Sequence, residues 1–202
     1  MQVSTAILAG GLSRRMGREK AFLELGASAL IERVIAAAAP LTSDWMVIAP
    51  DTDTFTRLNL PIHPDLRPHL GPLGGLHTAL KRAAHPLVLL LACDMPFLTT
   101  DFLRFMVDHL GSHQALVPRN ANGLQPLCAL YTRSCLPAVE AAIQRRELHM
   151  PSFHPDVDLR ILEPGEWRPF DFHQLLFTNI NTPAQYRRAR RLVEQELDED
   201  RG

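Results

Sequence analysis

Apolar runs alternate with amphipathic segments along most of this chain, and that alternation constrains the fold more than any other feature of the sequence. VSTAIL (3–8), WMVIAP (45–50), PLVLLLAC (86–93), QALVP (114–118) and LCALY (127–131) are continuous or β-rich runs, the pattern of strands covered on both faces. Between them LIERVIAAAAPL (30–41), GGLHTALKRAA (74–84), TDFLRFMVDHL (100–110) and SCLPAVEAAIQRR (134–146) place apolar residues three and four apart, as helices lying on a sheet do. Thr182-Pro183 offers an N-cap and a first-turn proline to a last helix, AQYRRARRLVEQEL, followed by the polar tail DEDRG. The expected fold is α/β, with helices on both faces of a mainly parallel sheet. Segment 147–173 is rich in Pro, His and Phe and has no clear period, so it is expected to be a long functional loop or a small subregion.

With 202 residues, 46% of them hydrophobic, the chain suits one well-buried domain over 1–202 rather than two. Lys and Arg total 21 against 22 Asp and Glu, so no general field draws in nucleic acid or an anionic membrane, and any anion site must be local. Cys93, Cys128 and Cys135 are odd in number and far apart, which argues for small buried residues in a reducing compartment rather than a disulfide framework. The amino terminus lacks a basic leader and no apolar run approaches the roughly 20 residues that span a bilayer, so the expected location is the cytoplasm.

Open α/β sheets bind ligands beyond the carboxyl ends of their strands. LAGGLSRRMGREK (8–20) follows the first run, HPDLRPHLGPLGGL (63–76) leads into the second helix, and ACDMP (92–96) follows the most apolar run. Glycines allow backbone amides to approach a ligand closely, and Arg14, Arg15 and Lys20 favour a negative one, so the first stretch suits a phosphate. It is not a Walker A loop, because Gly17 is followed by Arg18 and Glu19 where that motif needs Lys and Ser or Thr. Nor is it a dinucleotide fingerprint, since Gly10 and Gly11 are adjacent and no acidic residue follows at the required distance.

LAGGLSRRMGREKA, GPLGGL (71–76), CDMPFL (93–98) and NINTP (179–183) together resemble, in order and spacing, the motifs of the molybdenum cofactor guanylyltransferases. The resemblance implies a three-layer Rossmann-like nucleotidyltransferase fold. It implies transfer of GMP from GTP to the terminal phosphate of the molybdenum-molybdopterin cofactor, with release of pyrophosphate. Further partners that the resemblance admits are proteins that deliver the pterin and acceptor molybdoenzymes. On the matching positions, Leu8, Ala9, Gly10 and Gly11 border the nucleotide, Arg15 and Lys20 hold its outer phosphates, and Asp94 with Asn181 binds Mg²⁺, making Arg15, Lys20 and Asp94 the catalytic set. Asp65 stands where the family places a guanine contact; a carboxylate can accept from both the ring N–H and the exocyclic amine of guanine, which cytosine does not present as a pair. Gly75, Gln125, His149 and Asn179 are the candidates for the pterin side.

Two departures from the family pattern stand out. Ala49 occupies a place where asparagine is common, so base contacts there are left to the backbone, and the segment holding Asp65 is one residue shorter than the usual form. Other readings weigh against these assignments. Asp94 suits a helix N-cap and the two asparagines a turn before a helix, while His109 and His113 stand four apart but straddle Gly111, which disfavours a zinc pair. The rival functions are a cytidylyltransferase, for which LAGG rather than LAAG is the wrong signature, a sugar-phosphate nucleotidyltransferase, and a nucleotide-binding carrier without activity.

Overall fold

The computed structural model describes residues 2–10, 20–171 and 174–199. Its strands are β1 (Val3–Leu8), β2 (Glu24–Leu25), β3 (Ser28–Ala29), β4 (Thr42–Ile48), β5 (Ile62–His63), β6 (Leu87–Ala92), β7 (Ala115–Asn120), β8 (Gly123–Leu124), β9 (Cys128–Thr132) and β10 (Leu159–Leu162). The helices are α1 (Leu30–Ala38), α2 (Gly71–Arg82), α3 (Thr100–His109), α4 (Leu136–Gln144), α5 (Pro164–Trp167) and α6 (Pro183–Glu199).

The main sheet runs β10-β7-β9-β6-β1-β4-β5, with β8 hydrogen-bonded to β7. Both faces are covered, as the continuous apolar runs require. Ile7, Val47, Leu89 and Leu91 meet Ile31 and Val34 of α1 and Phe102 and Met106 of α3 on one face. Ala6, Met46, Val88 and Leu90 meet Leu73 and Leu76 of α2 and Val139 of α4 on the other. Successive residues of β1 alternate between the two cores, as the strand's two-residue period dictates. Three layers result.

Most pairings are parallel, but β9 runs antiparallel to both of its neighbours, β6 and β7. The link from Asn120 to Cys128 is too short for a parallel crossover, which takes about a dozen residues or more. A consequence for function follows. Because Cys128 lies opposite Leu91 and the Ala92 N–H donates to Leu127 O (2.8 Å), Gln125–Leu127 enters the sheet beside the carboxyl end of β6.

Segment 147–173 is a small subregion rather than a loop. Its described part holds a 3₁₀ helix over Met150–Asp156, the strand β10 parallel to β7, and α5. The strand was hidden because only Leu162 of LRIL is buried and Arg160 turns outward to Glu166 (2.7 Å), so no apolar alternation marks it. A satellite core of Leu25, Leu30, Ile180, Ala189 and Val193 fastens α6 and the β2–β3 hairpin.

Candidate active site

Register builds the site. Leu8 is level with Ile48 on one side and Ala92 on the other, so the chain leaves β1, β4 and β6 together at Ala9–Gly10, Ala49–Pro50 and Cys93–Asp94. Asp94 and Lys20 are 15% and 11% exposed, and the Lys20 ammonium lies 2.6 Å from Asp94 Oδ2. It donates equally to Asn181 Oδ1, at 2.6 Å. Three residues predicted to share a site therefore meet at one ammonium. MPFL after Asp94 is a turn rather than a helix, so the carboxylate is not a helix cap.

Each member is held from behind. Lys20 opens a 3₁₀ turn, Lys20–Phe22, whose Ala21 is buried. Phe22 packs on Phe55 with ring centroids 5.3 Å apart, and the Arg57 guanidinium carbon stands 3.3 Å over its ring. Asp94 anchors the last motif through its own carbonyl, which accepts the Ile180 N–H at 3.0 Å. The neighbouring Asn181 N–H donates to Gln185 Oε1 (2.8 Å), and the Thr182 hydroxyl accepts the Gln185 N–H (3.2 Å), capping α6 as the Thr-Pro pair predicts. The asparagine turn and the shared site are thus one structure.

Asp65 lies two residues past β5, on the β4–β5 side of the same edge. Its Oδ1 is buried and, among the described residues, has no hydrogen-bond partner. Burial holds its carboxyl above the usual range, while the Thr78 hydroxyl beside it pulls the other way. A buried acceptor left unpaired is costly and is uncommon in native proteins unless something else completes it. Thr78 was not foreseen; it also accepts the Leu66 N–H (3.0 Å), setting the path of the Asp65 segment against α2.

Backbone groups at several of the other expected contacts carry sheet hydrogen bonds. Ala9 N–H is spent on Ile48 O (2.9 Å), Leu8 is buried and its carbonyl accepts Cys93 N–H (3.2 Å), and Ala49 N–H is spent on His63 O (3.1 Å). These three donors and acceptors belong to the sheet, which leaves the exposed Gly10 as the described backbone facing outward after β1. Arg15 and Gly11 lie outside the described residues. Gln125 ties its side-chain amide to Asn120 Oδ1 (3.0 Å) and Gly123 O (3.1 Å), so it shapes the β7–β8 turn beside the site. Asn179 is half-buried next to Ile180, and His149 is exposed at the start of the 3₁₀ helix. Its neighbour His154 is buried against Tyr131, and burial, aided by His149, lowers its pKa to about 4. His109 and His113 turn to different partners, Phe105 O (2.8 Å) and Asp158 (2.9 Å).

Gly75 is buried, and a Cβ there would lie 2.6 Å from Leu8 Cδ2, so its first duty is to let α2 settle on the end of β1. Overpacking costs about 1–3 kcal/mol, against a helix gain of about 1 kcal/mol for Ala over Gly. Gly75→Ala is therefore expected to destabilise the fold by about 1 kcal/mol, lowering Tm by roughly 2–4 °C. A thermal melt checks this, and a raised Tm would contradict the packing.

Burial, with the Asp94 charge adding to it, pushes the Cys93 thiol up to about 12, so this cysteine cannot serve as a nucleophile at neutral pH. No cluster of three or more His, Cys, Asp or Glu among the described residues could enclose a metal by itself. What the edge offers is a carboxylate, an amide oxygen and a cation beyond three parallel strands, with a second carboxylate, one of its oxygens unpaired, farther along. That combination on a doubly covered α/β sheet defines a nucleotidyltransferase. The chain belongs to the MobA-like NTP transferase family, whose domain model matches residues 5–154. It is 36% identical to the probable molybdenum cofactor guanylyltransferase of Pelotomaculum thermopropionicum, over 96% of this chain and 95% of the other. Identity to the protein of the same description from Carboxydothermus hydrogenoformans is 36% over 91% and 93%. Molybdopterin-guanine dinucleotide biosynthesis protein A from Archaeoglobus fulgidus superposes with a TM-score of 0.81 at 26% identity, covering 95% of this chain and 99% of that one.

Proposed function

We propose that this chain, acting as one domain in the cytoplasm, transfers GMP from GTP to the terminal phosphate of molybdenum-molybdopterin. The observation that carries the reading is the convergence of Lys20, Asp94 and Asn181 at 2.6 Å contacts on the carboxyl edge of the sheet. An oxygen of the pterin phosphate attacks the α-phosphorus of GTP, a new P–O bond forms, and the bond to the bridging oxygen breaks as pyrophosphate leaves. The attacking oxygen is already anionic, so the protein need supply no general base. Its work is positioning and charge neutralisation. Lys20, joined by Arg15, holds the β- and γ-phosphates, where developing negative charge collects. Asp65 accepts hydrogen bonds from the guanine edge, three strands along from Asp94.

Asp94 and Asn181 fit a divalent cation: their oxygens already converge on one positive charge, and Mg²⁺ takes one or two protein oxygens with phosphates and water completing the set. Mg²⁺ bound there would screen the triphosphate. Gln125, His149 and Asn179 are assigned to the acceptor; for Gln125 the support is that the antiparallel β9 brings Gln125–Leu127 next to β6. Pterin-delivering proteins and acceptor molybdoenzymes are the proposed protein partners; no helix among the described residues is long and apolar enough to cross a membrane.

Incubating the protein with each of the four nucleoside triphosphates, Mg²⁺ and molybdopterin tests the reading by product mass. The guanine dinucleotide alone is expected. A cytosine dinucleotide would make it a cytidylyltransferase, and GTP binding with no product would make it a carrier.

A further inference from the structure

The oxygens assigned to the cation are the same oxygens that hold Lys20. Asp94 Oδ2 and Asn181 Oδ1 each stand 2.6 Å from one ammonium, and the ammonium and carboxylate are both largely withdrawn from water. A hard cation held by both of those oxygens together would have to come within about 2.1 Å of each, into the place the ammonium holds. We propose that Lys20 masks the metal site, so that divalent-cation binding is conditional on a nucleoside triphosphate. The phosphates draw the ammonium off Asp94 and Asn181, and the same movement frees both oxygens and neutralises the triphosphate.

The geometry behind Lys20 supports such an exchange. Its backbone is pinned by buried Ala21 and by Phe22 against Phe55 and Arg57, so the exchange needs only the side chain to swing. Asn181 is pinned independently, through Gln185 and through the bond from Ile180 to the Asp94 carbonyl. The backbone that carries both oxygens therefore stays in place when the ammonium leaves. A device of this kind keeps the enzyme from holding free metal and couples the arrival of metal to the arrival of the substrate that needs it. In the language of populations, the metal sees only the fraction of molecules whose site is unmasked.

This inference rests on the assignment of Asp94 and Asn181 as metal oxygens, and the test separates the two. Mn²⁺ binding to the full-length protein is followed by electron paramagnetic resonance, without nucleotide and then with GTP. Wild type is expected to bind Mn²⁺ weakly until GTP is added. Lys20→Met should bind Mn²⁺ without nucleotide roughly tenfold or more tightly than wild type, and Lys20→Arg, which keeps a cation at the pair, should stay masked. Adding Asp94→Asn to Lys20→Met should abolish the gain. Nucleotide-free Mn²⁺ affinity in Lys20→Met equal to that of wild type overturns the masking, as does a gain that survives Asp94→Asn. Thermal melts confirm that each variant is folded. If instead Asp94→Asn alone makes dinucleotide at the wild-type rate and Mg²⁺ requirement, the metal assignment itself fails, whatever the Mn²⁺ titrations give.

Discussion

Asp94→Asn is expected to give a folded protein whose turnover falls about a hundredfold or more, the loss typical when a group stabilising transition-state charge is removed. The substitution keeps shape and an oxygen for Lys20 but removes the only formal negative charge of the Lys20–Asp94–Asn181 cluster. Stability should fall as well, because the pair is largely withdrawn from water and the Lys20 ammonium loses its counter-charge, while Asn still accepts from it and keeps the loss short of unfolding. Metal affinity should suffer most, so the Mg²⁺ concentration giving half-maximal rate should rise together with the fall in kcat. Steady-state kinetics over a Mg²⁺ series, beside a thermal melt, make the comparison. Normal turnover at low Mg²⁺ would leave Asp94 as a structural partner of Lys20 and nothing more.

Asp65→Asn is expected to trade activity for stability. The native carboxylate has a buried, unpaired oxygen, and its pKa is held above the ordinary aspartate value chiefly by burial. With the folded pKa the higher one, the unfolded chain releases its proton first as pH rises, so this group subtracts stability through the mildly acidic window and above. The amide has no such charge to desolvate, and the variant should melt at or above the wild-type temperature at pH 7, with the difference vanishing toward low pH. Function should move the other way. Losing a charged acceptor for two guanine donors, and gaining an N–H that faces them, should cost roughly 2–4 kcal/mol in kcat/KM for GTP. CTP loses nothing, so the preference ratio should fall by about two to three decades. An unchanged ratio would mean that other groups read the base. Ala49 N–H is not among them, because it is bonded to His63 O.

The central architecture was legible because its strands are covered on both faces. Six successive buried residues define Val3–Leu8, and the same holds for Leu87–Ala92. Where burial is one-sided or brief, the sequence carries little signal: Ile62–His63 is a two-residue strand, and Leu159–Leu162 buries only its last residue. Candidate site residues stood out where their types are unusual in place, as with a carboxylate after an apolar run at Asp94. What could not be read was the pairing. Lys20 and Asn181 are 161 positions apart, and the docking of Ile180 on Asp94, with the satellite core behind it, brings them together. Nor does the sequence say that Asp65 is half-buried beside Thr78, since that depends on how α2 packs back on the segment leading into it. At Gly75 the motif gave no hint of the packing that also requires a glycine, the approach of α2 to Leu8.

The central claim is direct transfer of the α-phosphoryl nucleotide between two bound anions, with no covalent stop on the protein. GTP labelled at the α-phosphorus or at the γ-phosphorus, incubated with the enzyme, Mg²⁺ and molybdenum-molybdopterin, tests it most directly. The account predicts that all transferred α-label appears in the guanine dinucleotide, that the γ-label appears in pyrophosphate, and that denatured protein carries neither. Label retained on the protein, or γ-label released as orthophosphate, would contradict it.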